Sequence, residues 1–381
     1  MKRIRILHVA QAAGGVDRYI RMLLKYLDKE KFENILVCSQ DFHEEDYRGL
    51  VDSFEQVEMK RDIGGNDLKA IGEVRALIKK YNPDIVYAHS SKAGAIARVA
   101  DIGLRNHCVY NPHGWAFNMR CSAKKKAIYT MIEKIAAPFC DKIICISDAE
   151  KQSALDKKIC KEDKLQVIFN GVDIEAYEQK EHGKISRTAL KIPEDAFVVG
   201  MVGRISPQKA PDVFIRAAKL IKQEIPEAYF VMVGSGEMEN EIKQYAKEKG
   251  LDDCLHITGW VDDPLDYVEL FDVACLLSRW EGFGLALPEY MMASKPIVAS
   301  RVDAIPNIIR DGENGLLVEV DDYVGASKAV LRIYQESGLK DKLAAQGLED
   351  VHSRFMARRV SEEHEKLFER IIYRPVDTKG T

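Results

Sequence analysis

The chain has 381 residues, a formal net charge of −4 and 46% hydrophobic residues, which fits a globular protein of two domains and argues against a general nucleic-acid binder. No stretch approaches the roughly eighteen apolar residues of a membrane helix, and the apolar run after Met1-Lys2-Arg3 is too short and too interrupted for a signal peptide. The eight cysteines form no C-x-x-C pair, and several sit inside strand-like runs as small buried hydrophobes, so a reducing, cytoplasmic setting is expected.

Short apolar runs alternate with helical patterns, the signature of βαβ units with parallel sheets. The first strand is predicted over Ile4 to Ala10, and Ala13-Gly14-Gly15-Val16 then opens a helix carrying Ile20, Leu23, Leu24 and Leu27. A glycine loop there can bring backbone N–H groups to a phosphate, and an ordinary tight turn has the same spacing. It is not G-x-G-x-x-G, and no acidic residue is placed for a ribose as in a dinucleotide fold. Asn34 to Ser39 is the next strand. Asp67 caps a helix with Leu68, Ile71, Val74, Leu77 and Ile78 on one face. The strand Ile85 to His89 leads into Ser90-Ser91-Lys92-Ala93-Gly94, whose small residues start a helix that can lie close to a ligand.

In Val109-Tyr110-Asn111-Pro112-His113-Gly114-Trp115-Ala116-Phe117, His113 stands at a strand end where its ring can face a cleft; a structural or exposed histidine is the alternative. Arg120 and Lys124-Lys125-Lys126 precede Ile128, Met131, Ile132, Ile135 and Phe139 at helical spacing. This segment reads either as a core-packed helix with a solvated basic end or as a basic amphipathic surface facing anionic lipid headgroups. Lys142 to Ser147 and Val167 to Phe169 are further strands, the second ending in Asn170-Gly171-Val172-Asp173.

From Ile174 to Asp195 the chain turns polar, marking a candidate inter-domain connection. Phe197 to Val202 restarts the plan of strand, glycine loop and helix: Gly203-Arg204-Ile205-Ser206-Pro207-Gln208-Lys209-Ala210 is the loop, and Pro211 takes the first helical turn. Arg204 and Lys209 can grip a diphosphate, the first by its fork and the second as a point charge; two solvated surface cations are the alternative. Tyr229 to Val233 ends in Gly234-Ser235-Gly236-Glu237, and Leu255 to Thr258 is followed by Gly259-Trp260-Val261. Asp272 to Leu277 is a buried strand. After it, Glu281 falls in the loop and Glu289 in the first turn of a helix containing Pro288, with Gly282-Phe283-Gly284-Leu285 between. Carboxylates, turn amides and a helix start at a strand's C-terminal end suit a ligand that is part phosphate and part sugar, and solvated acids on a plain connection have the same spacing. Pro296 to Ser300 and Leu316 to Val318 are the last strands, and the rest is helical up to a polar tail expected to fray from Asp377.

Read together, these pieces resemble glycosyltransferase family 4, retaining transferases with the GT-B fold. The resemblance spans nearly the whole chain in order: Gly14-Gly15, Pro112-His113-Gly114, Ser147, Asn170-Gly171-Val172-Asp173, Gly203-Arg204 with Lys209, Gly234-Ser235-Gly236, and above all Glu281 to Glu289, the E-x7-E of the family. His89 to Gly94 with Pro112 to Phe117 is most similar to bacterial capsule and exopolysaccharide transferases. The resemblance implies an α/β chain of two Rossmann-like domains with parallel sheets facing across a cleft: an acceptor-binding domain over 1–175, a nucleotide-sugar-binding domain over 176–355, and a C-terminal helix over 356–381 crossing back. It implies a hexose or N-acetylhexosamine donor, UDP-linked, and a saccharide or polyprenyl-linked acceptor in surface polysaccharide synthesis, with no metal and no cofactor beyond the donor.

By the same resemblance Arg204 and Lys209 neutralise the donor diphosphate, Gly15 approaches it from the opposite domain, and Glu289 holds the ribose. Glu281 with the amides of Gly282, Phe283, Gly284 and Leu285 holds the sugar, and Val261 lies against the base. His113 meets the sugar near the reaction centre, which makes His113 and Glu281 the expected catalytic residues. Asp303-Ala304-Ile305-Pro306-Asn307 departs from the Gly-Gly-x-Pro-Glu of the family and changes the fine shape of the donor loop, while Ser294 and Tyr290 replace a frequent glycine and alanine and alter packing. A sugar-nucleotide 2-epimerase on the same fold and an inactive nucleotide-sugar-binding module are the alternatives. The expected location is cytoplasmic, with peripheral contact to the anionic inner face of a membrane.

Overall fold

The computed structural model describes residues 2–11, 13–60, 66–119 and 121–373. Arg120 of the basic segment and the tail from Asp377 lie outside them. Contacts divide the chain into two units, one joining Met1–Gly171 to Ala357–Thr381 and the other formed by Val172–Met356.

The first unit carries a seven-stranded sheet in the order β3-β2-β1-β4-β5-β6-β7, with every pair parallel. Its strands are β1 (Ile4–Ala10), β2 (Phe32–Cys38), β3 (Ser53–Gln56), β4 (Ile85–His89), β5 (His107–Asn111), β6 (Lys142–Cys145) and β7 (Leu165–Val167). Central strands buried on both faces read as near-continuous apolar runs, which is why β1 and β4 stand where the sequence predicts them. The strand β3 has no such run. It is a partly buried edge strand, paired only with β2, and its polar residues give no alternation to find. The helix Gly15–Tyr26 buries Tyr19, Ile20, Leu23 and Leu24 against one sheet face. The C-terminal helix Ala357–Tyr373 lies beside it and buries Val360, His364, Leu367 and Phe368, with Ser361 Oγ donating to the Leu23 carbonyl at 3.2 Å.

The second unit has a six-stranded parallel sheet in the order β10-β9-β8-β11-β12-β13. Its strands are β8 (Phe197–Val202), β9 (Ala228–Val233), β10 (Leu255–Ile257), β11 (Val273–Leu276), β12 (Ile297–Ser300) and β13 (Leu316–Val318). The polar stretch after Ile174 is no loose tether: Arg187 pairs with Asp272 at 2.9 Å and donates to the Leu270 carbonyl at 3.0 Å, and Lys180 pairs with Asp263 at 2.8 Å. Charged residues there dock onto this unit instead of staying solvated. In each sheet the chain reverses direction of travel once, between β1 and β4 and between β8 and β11. Open α/β sheets bind ligands beyond the strand C-termini at such a switch point. All eight cysteines are free thiols.

Candidate active site

In the second unit the sequence-predicted residues gather at the C-terminal edge of the sheet, around the β8–β11 switch. The loop after β8 is shaped by Gly203, and the loop after β9 crosses directly over it. A Cβ on Gly234, at φ +131°, would stand 2.3 Å from the Gly203 carbonyl oxygen, so only glycine allows this approach. The crossing is held by Gly203 N–H donating to the Val233 carbonyl at 2.9 Å and Ile205 N–H to the Ser235 carbonyl at 3.0 Å. The aliphatic stem of Lys209 lies over Gly203, where an added Cβ would meet Lys209 Cε at 3.2 Å. Gly234 N–H reaches Thr258 Oγ1 at 3.3 Å, which ties in the loop after β10 and places half-buried Val261 on the same edge.

The loop after β11 brings Glu281 against that cation: Lys209 Nζ lies 2.5 Å from Glu281 Oε2, across 72 residues of chain. Ser278 Oγ donates to the same oxygen at 3.2 Å, and Glu281 N–H donates to Asp303 Oδ2 at 2.9 Å. Lys209 and Glu281 are thus one ion pair, not two isolated ligand contacts. Arg204 is exposed in the same loop as Lys209. Gly282 and Leu285 are half-buried, and Gly284 is buried at φ +84°. Phe283 is 2% exposed and packs edge-on against Phe355 at 6.0 Å, so its backbone is what it can offer a ligand. Glu289 sits buried in the first turn of the helix Ala286–Met292. That helix is clipped to the sheet by Tyr290, whose hydroxyl accepts from Val202 N–H at 2.7 Å and donates to the Cys275 carbonyl at 3.3 Å.

In the first unit, exposed Gly15 opens its helix after Gly14 at φ +102°. His113 follows β5 in the left-handed region, φ +51°. Its N–H donates to Asn111 Oδ1 at 2.9 Å. Its Nε2 meets His89 Nδ1 at 3.1 Å, and Tyr19 lies edge-on at 4.6 Å. Burial pushes the His113 imidazole down to about 3, so it is neutral at physiological pH. The turn beside it is pinned by Glu150, which accepts from Gly114 N–H at 2.7 Å and from Ile146 N–H at 2.6 Å. Burial raises that carboxyl to about 7.

Sequence reasoning assigned no contact to Asp303 or Ser278 and did not single out Glu150. Ser147-x-x-Glu150 is a capping-box spacing that could have found the last of them, and Ser147 Oγ does accept from Glu150 N–H at 3.1 Å. Asp303 lies in the segment that departs from the usual Gly-Gly-x-Pro-Glu, and no local signal marks it.

Residues 13–176 match the family described as Glycosyltransferase Family 4, and residues 184–350 the one described as Glycosyl transferases group 1. Among curated proteins the chain is 31% identical to an Escherichia coli UDP-Gal:alpha-D-GlcNAc-diphosphoundecaprenol alpha-1,3-galactosyltransferase, over 88% of this chain and 89% of that one. It is 26% identical to a Staphylococcus aureus capsular polysaccharide biosynthesis glycosyltransferase, over 97% of each. Among solved structures, Anabaena HepE in complex with UDP and glucose superposes with a TM-score of 0.82 at 19% identity, covering 96% of this chain and 100% of that one.

Proposed function

Since the chain belongs to glycosyltransferase family 4 and has the GT-B fold, we propose that it moves a hexose or N-acetylhexosamine, with retention and without a metal ion, from a UDP-linked donor to a hydroxyl of a lipid-linked or saccharide acceptor in surface polysaccharide synthesis. The observation that carries this reading is the meeting of Lys209 and Glu281 over the crossed Gly203 and Gly234 loops at the β8–β11 switch. In transfer, the bond from the sugar C1 to the diphosphate oxygen breaks, the acceptor oxygen bonds to C1, and the acceptor proton passes to the leaving diphosphate. Negative charge grows on that diphosphate. Lys209, held at the loop by Glu281, and Arg204 in the same loop stabilise it in place of a metal. An incoming diphosphate competes with Glu281 for Lys209, which frees the Glu281 carboxylate to accept from sugar hydroxyls. Glu289 holds the ribose, and the amides of Gly282 to Leu285 hold sugar oxygens. We assign His113 and Gly15 to the donor as well, a role carried by the family resemblance alone.

The test is a screen of nucleotide sugars read by nucleoside diphosphate release, followed by proton NMR of the product anomer. A UDP-hexose or UDP-N-acetylhexosamine giving an α-linked product from an α-linked donor, at a rate unchanged by EDTA, is expected. An inverted anomer or loss of activity with EDTA would overturn the corresponding part. A donor that yields its 2-epimer with no acceptor would overturn transfer itself.

Peripheral membrane contact belongs to the same proposal. Ile128, Met131, Ile135 and Phe139 form one exposed face, 43–63% accessible, on and just after the helix Ala123–Ala136, which begins with Lys124, Lys125 and Lys126. Among the described residues no helix is long and apolar enough to cross a membrane. Binding to anionic but not neutral vesicles at low salt is expected, and failure to bind either would remove this part.

A further inference from the structure

One face of the first sheet carries a line of buried polar side chains. Parallel registers set Ile6 beside Asn34, His8 beside Tyr87, Ala10 beside His89, and His89 beside Asn111. Since alternate residues share a face, Asn34 on β2, His8 on β1 and His89 on β4 fall in one row, and the row ends at His113. The contacts are continuous. Asn34 Oδ1 lies 3.1 Å from His8 Nε2, His8 Nδ1 lies 3.2 Å from His89 Nε2, and His89 Nδ1 lies 3.1 Å from His113 Nε2. Successive rings are stacked, with centroids 5.5 and 5.4 Å apart.

Burial keeps all three rings neutral: it lowers His8 to about 4 and His113 to about 3, and it holds His89 well below its ordinary value. A neutral imidazole has one N–H and one lone pair. Ring-to-ring hydrogen bonds therefore have only two settings along the whole row, and the group at the end selects between them. The end group is a carbonyl oxygen, which can only accept. His8 must then carry its proton on Nε2 and accept at Nδ1. His89 donates from Nε2 and accepts at Nδ1. His113 donates from Nε2.

We infer that Asn34, acting through His8 and His89, is a positioning residue that keeps the proton of His113 on Nε2 and presents Nδ1 as a hydrogen-bond acceptor for a sugar hydroxyl. The tautomer half of this inference stands on the row alone, and the hydroxyl half rests on the reading of His113 given above. The surrounding groups share the work of holding the row. Asn111 Oδ1 takes the His113 N–H at 2.9 Å, and Asn111 Nδ2 donates to the Tyr87 hydroxyl at 3.4 Å. Tyr19, from the first helix, packs edge-on to His113 and reaches His364 Nε2 at 2.8 Å. His364, from the C-terminal helix, is held in the opposite tautomer, because its Nδ1 donates to the Val360 carbonyl at 2.7 Å.

The experiment is long-range ¹H–¹⁵N NMR of the histidine rings in the full chain at neutral pH, with signals assigned from single His→Gln variants. A single Nε2–H tautomer is expected for His8, His89 and His113, and Nδ1–H for His364. A proton on Nδ1 of His113, or shifts averaged between its two nitrogens, would overturn the inference. Asn34→Leu removes the accepting end, and the His113 nitrogens should then move to an averaged or inverted pattern; an unchanged pattern would overturn the role of Asn34. If that variant does not fold, His8→Phe makes the same cut one link further along and is read the same way. These spectra need no substrate, so a donor screen that finds no transfer would count against the proposed function and leave the tautomer result standing.

Discussion

Lys209→Ala removes the cation that Glu281 holds at 2.5 Å. The two side chains are 16% and 10% exposed, so the pair lies between a surface bridge, worth about 0–1 kcal/mol, and a fully buried one, whose breaking costs about 3–5 kcal/mol. Ser278 Oγ still donates to the stranded carboxylate at 3.2 Å, and a destabilisation of about 2 kcal/mol is expected for the second unit in urea unfolding. Lys209→Ala/Glu281→Ala leaves no unpaired carboxylate and should recover about 1 kcal/mol of that loss. Turnover should behave differently. Losing a fixed cation at a growing negative charge lowers kcat by about 10²–10³, and the double variant should recover none of it. Nucleoside diphosphate release at saturating donor measures this. Wild-type turnover in Lys209→Ala would refute the diphosphate role, and a double variant no more stable than the single one would refute the coupling of the pair.

Gly234→Ala forces a Cβ to 2.3 Å from the Gly203 carbonyl at φ +131°, a backbone strain of about 1–3 kcal/mol that the crossed loops relieve by separating; a donor KM raised at least about tenfold with unchanged circular dichroism is expected, and an unchanged KM would show that the crossing is not part of the donor site. Tyr290→Phe leaves the Val202 N–H without its 2.7 Å acceptor and should cost about 1–3 kcal/mol in chemical unfolding; a neutral effect would mean that the clip contributes nothing. Stability should also depend on pH through the buried histidines. His8, His113 and His364 are lowered from 6.5 to about 4, 3 and 4, so between pH 6.5 and about 4 the unfolded chain binds protons that the folded chain does not. Each histidine then removes about 1.4 kcal/mol per pH unit as pH falls. Glu150, raised from 4.5 to about 7, has the opposite sign, because the folded chain holds its proton and loses stability as pH rises through that window. Glu150→Gln should therefore steepen the acid loss of the first unit, and a pH-independent stability from 6.5 to 4 in that variant would contradict the buried neutral rings.

The strands and motifs legible in the sequence are those whose signal is local. Ile4–Ala10, Ile85–His89 and Phe197–Val202 lie where their apolar runs predict them, because central strands buried on both faces need a near-continuous apolar sequence. Glu289 falls in the first helical turn, as Pro288 requires. The edge strand Ser53–Gln56 escaped because one side of it has no neighbour and its polar residues lack a period.

What the sequence by itself determined is the family, the repeated plan of strand, glycine loop and helix, and the residue types available at each loop. The plan and the loops follow from backbone propensities and spacings a few residues long, and the family from the resemblance of motifs in order along the chain. What only the tertiary structure decided is which of those residues meet. Lys209 finds Glu281 across 72 positions, Asp303 holds the Glu281 amide across 22, and four histidines scattered from His8 to His364 gather on one sheet face and under one helix. The physical reason is that strand order and register place side chains from distant segments side by side, and burial then makes hydrogen bonding among the histidines obligatory.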